Sequence, residues 1–371
     1  MRRKFLLVGL VFFLYATNVL SSSNEPQVNP IEAEKFTALI STIHKLREIG
    51  KKNIILACFN QPELSAQQVK ALSELSIDKI LNLNENNPFL INQVKVINLD
   101  QFDAIEKEKI DAIVVYDLAW DSVYRSAWLS SAAQKIRNYL LKNSVAVVPY
   151  NPQLITGFDI KTMTFDKAVS SFVPAVYCAQ SGLKGSFIEF GSFYGRFFYT
   201  SYGYLKDILQ GQFISFDSFE GLSKPLNEEI KYTAGDFVEG AYFCNLDSFN
   251  TNGSLLGVDP KRIKVVPGFY QKTLVNKTIK DYGIAKRSVS VVYIDCDIYE
   301  PTLLVLRFIK DALEDGALIG FDDYFLNRAS PVSGERGAIL KWLEENPDIE
   351  LVEYYRPNLQ SNWFIFHRKK P

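Results

Sequence analysis

Twice along this chain, short runs rich in Val and Ile alternate with segments of helical periodicity. Such runs fit strands buried on both faces, and a helix between two of them makes a crossover that leaves them parallel. The alternation restricts the chain to the α/β class. The first series comprises NIILACF (53–59), KILNL (79–83), VKVINL (94–99), AIVVYD (112–117) and VAVVPY (145–150). Ile31, Phe36, Leu39, Ile40, Ile43 and Leu46 recur at helical spacing before Gly50, and further helical patterns cover 66–75 and 127–141. The second series predicts strands at 186–190, 212–216, 263–266, 288–294 and 317–321. Helices are predicted from about Arg196, over 302–313 and over 335–345. Two final strands, 349–355 and 363–367, flank the polar turn RPNLQSN. A length of 371 residues suits two domains. We place a small α/β domain at 31–150 and a second one at 165–371. A polar linker (24–30) precedes the first, and a loop (151–164) joins the two.

The first residues read differently. MRRK is basic, the run from Phe5 is apolar to Leu20, and Ser21 to Ser23 are small and polar. This is the pattern of a signal peptide or single N-terminal anchor over 1–23, in contact with membrane or translocon. The basic start predicts that the remainder faces away from the cytoplasm, in the secretory pathway or outside the cell. A cytoplasm-facing anchor is the alternative. Sequons at Asn252 and Asn276 are compatible with a secretory route.

With 41 basic and 42 acidic residues, nothing steers the whole chain toward nucleic acid. The four cysteines, Cys58, Cys178, Cys244 and Cys296, have no metal-binding spacing and read as buried thiols. There are only two histidines, His44 and His367, both in expected structural elements. This scarcity argues against a histidine triad or a histidine-rich zinc site. A general base would have to be a carboxylate, Tyr or Lys.

Three stretches carry chemistry. In FIEFGSFYGRFF (187–198) a strand ends at Glu189 and turns through Gly191 and Gly195 into a helix. Glycine permits close backbone approach, and a helix N-terminus favours a negatively charged group. The spacing is not that of the G-x-G-x-x-G fingerprint, and a strand–turn–helix that needs glycine only for its geometry reads equally well. In FISFDSFEGLS (213–223) the next strand ends at Asp217, where an acid accepts bonds from ribose hydroxyls in nucleotide-binding halves. Together the two motifs point to an adenosine-containing ligand. The third is a pair of pairs: Asp295 and Asp297 in YIDCDIYE, and Asp322 and Asp323 in GFDDYF. If their strands are neighbours, at least three carboxylates converge at one rim, where they suit Mg²⁺ or the movement of a proton. The alternative is that Asp297 caps a helix and Asp323 ends a strand.

EFGSFYG, FDSFEGLS, GDF, VVPGFYQKTL, YIDCDIYEPT and GFDDY occur in that order. Together they resemble the macrocin O-methyltransferase family over about 165–369. The resemblance implies a class I methyltransferase sheet ending in a β-hairpin. It implies S-adenosylmethionine as methyl donor and a sugar, glycan or glycoside hydroxyl as acceptor. Glu189, Gly191 and Gly195 would lie near the methionine part of the donor, and Asp217, Ser218 and Phe219 near its adenosine. Asp295, Asp322 and Asp323 would hold Mg²⁺ or a similar divalent cation. Asp297 would be the general base, or would share that role with Asp295. Two further readings remain. IDCD is also a D-x-D that suits a metal-dependent glycosyltransferase, and the chain also suits a non-catalytic binding protein. The first domain has no phosphate-cradling loop after its first strand, where the chain reads CFNQPELS. It reads as a binding, packing or dimerisation domain, compatible with a homo-oligomer.

Overall fold

Both series fold as parallel sheets, and in the same strand order. The computed structural model describes residues 30–58, 62, 64–77, 79–83, 91, 94–98, 101–102, 109–116, 131–150, 165–227, 229 and 237–369. The expected leader (1–23) and the joining loop (151–164) lie outside these residues. Among the described residues no helix is long and apolar enough to cross a membrane.

The first sheet holds β1 (Ile54–Cys58), β2 (Lys79–Asn82), β3 (Lys95–Asn98), β4 (Ala112–Val115) and β5 (Ala146–Pro149), in the order β3-β2-β1-β4-β5. Every pair is parallel. Helices α1 (Pro30–Glu48), α2 (Ala66–Glu74) and α3 (Ser131–Asn143) accompany it. Ser65 caps α2 through a reciprocal capping box with Gln68, which answers two otherwise orphaned backbone donors. One face of the sheet buries Leu39, Ile43 and Leu46 of α1, and the other buries Ile136, Tyr139 and Leu140 of α3.

The second unit opens with α4 (Phe165–Ser181), a helix the periodicity did not reveal. Tyr355 and Tyr177 tie α4 to the sheet by donating to the carbonyls of Ser170 (3.1 Å from Tyr355) and Gly316 (3.0 Å from Tyr177). Then come β6 (Ser186–Phe190), α5 (Arg196–Leu205), β7 (Phe213–Asp217), α6 (Leu246–Leu255), β8 (Ile263–Pro267), α7 (Tyr270–Thr273), β9 (Val289–Ile294), α8 (Tyr299–Ile309), β10 (Leu313–Phe321), α9 (Gly334–Glu345), β11 (Ile349–Tyr355) and β12 (Asn362–Arg368). The strand order is β11-β12-β10-β9-β6-β7-β8. Only the terminal hairpin is antiparallel, with Leu318 opposite Ile365 and Val352 opposite Ile365 on its other side.

Most boundaries move by a residue or two, and the largest shift in the second sheet lies between β9 and β10. The helix expected over 302–313 runs instead over Tyr299–Ile309, and Leu313 already belongs to β10. Gly316, with φ +84°, accommodates a register shift against β9 between Leu313 and Leu318, so a continuous apolar pattern was interrupted there. The sequon at Asn252 falls in α6: the side chain is fully buried and its Nδ2 donates to the Tyr194 carbonyl at 3.1 Å. It is no glycan acceptor in this fold, whereas Asn276 is exposed. All four cysteines are buried free thiols, as expected. Burial pushes the Cys178 thiol up to about 12.

The units meet through α6. Asn245 caps α6 by accepting from the Ser248 amide at 2.9 Å, and its Nδ2 donates to the Leu140 and Val145 carbonyls. Ser248 Oγ in turn accepts from the Val147 amide of β5 at 2.7 Å.

Candidate active site

The carboxyl ends of β6, β7, β9 and β10 open onto one cavity of about 510 Å³. In a parallel sheet, binding crevices lie at these ends, where the strand order reverses. Glu189, Gly191, Asp217, Ser218, Asp295, Asp297, Asp322 and Asp323 all line it. Gly195 and Phe219 do not. Phe219 turns its ring into the core against Phe249, at 5.4 Å between centroids, so only its backbone serves the site.

The glycines answer to packing. A Cβ on Gly191 would sit 1.8 Å from the Asp295 carbonyl oxygen, and one on Gly195 would sit 2.3 Å from the Tyr199 ring. Both residues have positive φ (+85° and +90°), which favours glycine in addition. The close approach the glycines permit is therefore that of β6 to β9 and of the loop to α5. Asp217 fixes the same loop. Its Oδ2 accepts from the amides of Ser192 (2.7 Å) and Phe193 (2.8 Å), and its Oδ1 from that of Phe219 (2.7 Å). Burial pushes its carboxyl up, against the lowering effect of those three amides. The Ser218 hydroxyl adds a fourth hydrogen bond to the same carboxylate, which lines the cavity.

The acid pairs converge as the strand order requires. β9 and β10 are parallel neighbours with Phe321 opposite Ile294, and the Asp322 amide donates to the Ile294 carbonyl at 3.0 Å. One carboxylate oxygen each from Asp295, Asp322 and Asp323 lies within 4.8 Å of the others. Three hard oxygen donors at that separation fit a divalent cation. Asp297 does not cap α8, whose N-cap is Ile298. It adopts φ +61° in a tight turn closed by the Ile298 amide and the Cys296 carbonyl, 2.6 Å apart. Its side chain is hydrogen-bonded to that of Asp323, a contact between carboxyls that needs a shared proton. Burial, then the Asp323 charge and hydrogen bond, then Asp295 and Glu335, hold it well above the usual carboxylate range.

Three supporting residues escaped the sequence reading. Glu335, fully buried in the first turn of α9, accepts from the Cys296 amide (3.2 Å) and the Asp323 amide (2.9 Å). It thus bridges the two acidic strand ends. Glu229, also fully buried, accepts from the Tyr299 amide (2.6 Å) and the Gly334 amide (3.0 Å), tying together the starts of α8 and α9. Tyr293 of β9 donates its phenol to Asp322 Oδ1, which also accepts from Ser361 at 3.2 Å. Burial, then the charges of Asp322 and Asp295, keep that phenol protonated. No local pattern marks these residues, because their partners lie far away in sequence.

This strand order, with a glycine loop after the first strand and an acid closing the second, defines a class I methyltransferase domain. Residues 158–334 match the model of the macrocin-O-methyltransferase (TylF) family. The domain is therefore an O-methyltransferase domain. Solved structures similar to the chain include the O-methyltransferase NovP, at 14% identity over 60% of this chain and 89% of that one, with a TM-score of 0.46. CalS11, a calicheamicin methyltransferase, shares 18% identity over 64% of this chain and 93% of its own, with a TM-score of 0.44. No curated protein matches the chain.

Proposed function

We propose that the second domain uses S-adenosylmethionine and a divalent cation, Mg²⁺ in the first instance, to methylate a hydroxyl of a sugar, glycan or glycoside. One observation carries this reading. Asp295, Asp322 and Asp323 converge within 4.8 Å on the cavity that the glycine loop and Asp217 also line. In the proposed arrangement Asp217 and Ser218 face the donor's adenosine, and Glu189 and the backbone of the glycine loop face its methionine part. A cation held by Asp295, Asp322 and Asp323 would lower the pKa of an acceptor hydroxyl and fix its pose. Methyl transfer is an in-line displacement: an O–C bond forms as the sulfonium S–C bond breaks, and the hydroxyl proton must leave. In this reading Asp297, which lines the same cavity, takes that proton. Burial and the neighbouring acids raise its affinity for a proton. Asp323, sharing a hydrogen bond with Asp297, orients it. Tyr293 and Ser361 both donate to Asp322 and hold it beside the cluster.

Calorimetric titration with S-adenosylhomocysteine, with and without Mg²⁺, tests the reading. Absence of binding in both conditions would sink it. Preferential binding of a sugar nucleotide would favour the glycosyltransferase reading instead. The extracytoplasmic placement expected from residues 1–23 belongs to the same proposal. Protease protection of the full chain in membrane vesicles tests that part.

A further inference from the structure

The first domain touches the second at the two loops that line the donor side of the cavity. The glycine loop presents two large aromatics, Phe193 and Tyr194. Tyr194 is buried within the core of the first domain, together with Leu81, Tyr139 and Val147, and Phe193 packs against the same cluster. Phe193 also lines the cavity, and its amide is held by Asp217. The loop's inner side thus faces the cavity, while its outer side is anchored in a different domain.

The second loop, Ser218 to Ser223, is reached by Arg137 of α3. Its Nη2 donates to the Glu220 carbonyl, and its guanidinium lies 4.8 Å from the centroid of the Phe243 ring. Gly240 leaves room for it: with φ +80°, a Cβ there would meet Arg137 Nη1 at 2.6 Å. The 240–241 backbone in turn pairs with Leu222, at 2.8 Å and 2.9 Å. Arg137 therefore sits where the loop, its pairing segment and the Phe243 ring meet. A planar guanidinium with a desolvated face and a directed donor fixes such a junction in a way a flexible ammonium does not.

We propose that the first α/β domain is a built-in part of the donor site, with Arg137 as the positioning residue that sets the 218–223 loop for the adenosine of S-adenosylmethionine. This rests on the donor chemistry proposed above. It also accounts for the bulky pair Phe193 and Tyr194 in a glycine loop: they are the contact of that loop with the buttressing domain.

The test uses the full chain. S-adenosylhomocysteine and Mn²⁺ are titrated separately against the unaltered protein, Arg137→Ala and Arg137→Lys. The expected result is a loss of S-adenosylhomocysteine affinity of about tenfold in Arg137→Ala, the scale of one charge-assisted hydrogen bond. Arg137→Lys should lose less, because it keeps the cation near Phe243. Mn²⁺ affinity should stay within about twofold in both. If Arg137→Ala does not fold, Arg137→Lys decides by the same split between the two ligands. Unchanged S-adenosylhomocysteine affinity in the variants, or a parallel loss of both ligands, overturns the inference. Failure of the unaltered chain to bind S-adenosylhomocysteine overturns the proposed function, and the inference with it.

Discussion

The chain builds the same five-stranded parallel order twice. β3-β2-β1-β4-β5 in the first sheet corresponds, strand for strand, to β8-β7-β6-β9-β10 in the second. In both sheets this order places a strand reversal at the carboxyl edge. They differ in what stands there. In the second sheet the strands end in Glu189, Asp217, Asp295 and Asp322. In the first, the described strand ends carry Cys58, Asn82, Asn98, Tyr116 and Tyr150. Asn82 and Asn98 simply bond to each other, Nδ2 to Oδ1, at 2.9 Å. Topology supplies a place for chemistry, and the residues at the strand ends decide whether chemistry is done there. Among the described strand ends, only those of the second sheet bring acids to a cavity.

The contrast can be broken at the acids first. Asp297→Asn should lower kcat for methyl transfer by about 10²–10⁴-fold, the scale of a general base, while leaving S-adenosylhomocysteine affinity almost unchanged. Equal losses in both would deny Asp297 a role confined to the proton. Next, Glu335→Gln replaces one acceptor of the bridge across Cys296 and Asp323 by a donor. Mn²⁺ affinity, read by titration, should fall by about 10–100-fold, the cost of disturbing groups that orient metal ligands.

Stability against pH sharpens the same contrast. Asp297 and Glu335 both have folded-state pKa values raised well above their ordinary ones, chiefly by burial. The folded protein then holds their protons more tightly than the unfolded chain does. Their stabilising contribution is complete below the ordinary carboxylate pKa, about 4, and is lost as pH rises through the raised values. The thermal midpoint of the cation-free protein should fall as pH is raised from about 5 to 8, and Mg²⁺ should restore more of it at the upper end. A midpoint that Mg²⁺ shifts equally at both ends would contradict this. The smallest effect is expected in the first sheet. Asn82→Ala, at the position that corresponds to Asp217, should cost about 1 kcal/mol through the lost bond to Asn98, or about 2–4 °C in midpoint. Methyl transfer should be unaffected; a large loss of kcat would give the first sheet a chemical role.

The parts legible beforehand were those encoded by local pattern. Each of the ten parallel strands was visible as an apolar run, and the hairpin was visible from RPNLQSN between its last two strands. The four aspartates stood out because each pair follows such a run. Helix α4 was missed because it precedes the first strand of its sheet and owes its place to Tyr177 and Tyr355. The resemblance put Phe219 near the adenosine, and at φ +54° its ring packs into the core against Phe249. Asn252 fitted a sequon, but α6 buries it.

The sequence by itself determined the α/β class, the succession of strands, and the acids and glycines that follow them. These depend on residue spacing over a few positions, which a chain carries whether folded or not. Only the tertiary structure decided that Asp297 shares a hydrogen bond with Asp323, that Glu335 bridges two strand ends, and that Arg137 reaches the loop after β7. Such contacts join groups dozens of residues apart, with energies set by burial and direction, and neither exists until the sheets have packed. The two glycines show the division most directly. Their presence was plain in EFGSFYG, but the reason for them, an Asp295 carbonyl and a Tyr199 ring, came only with the fold.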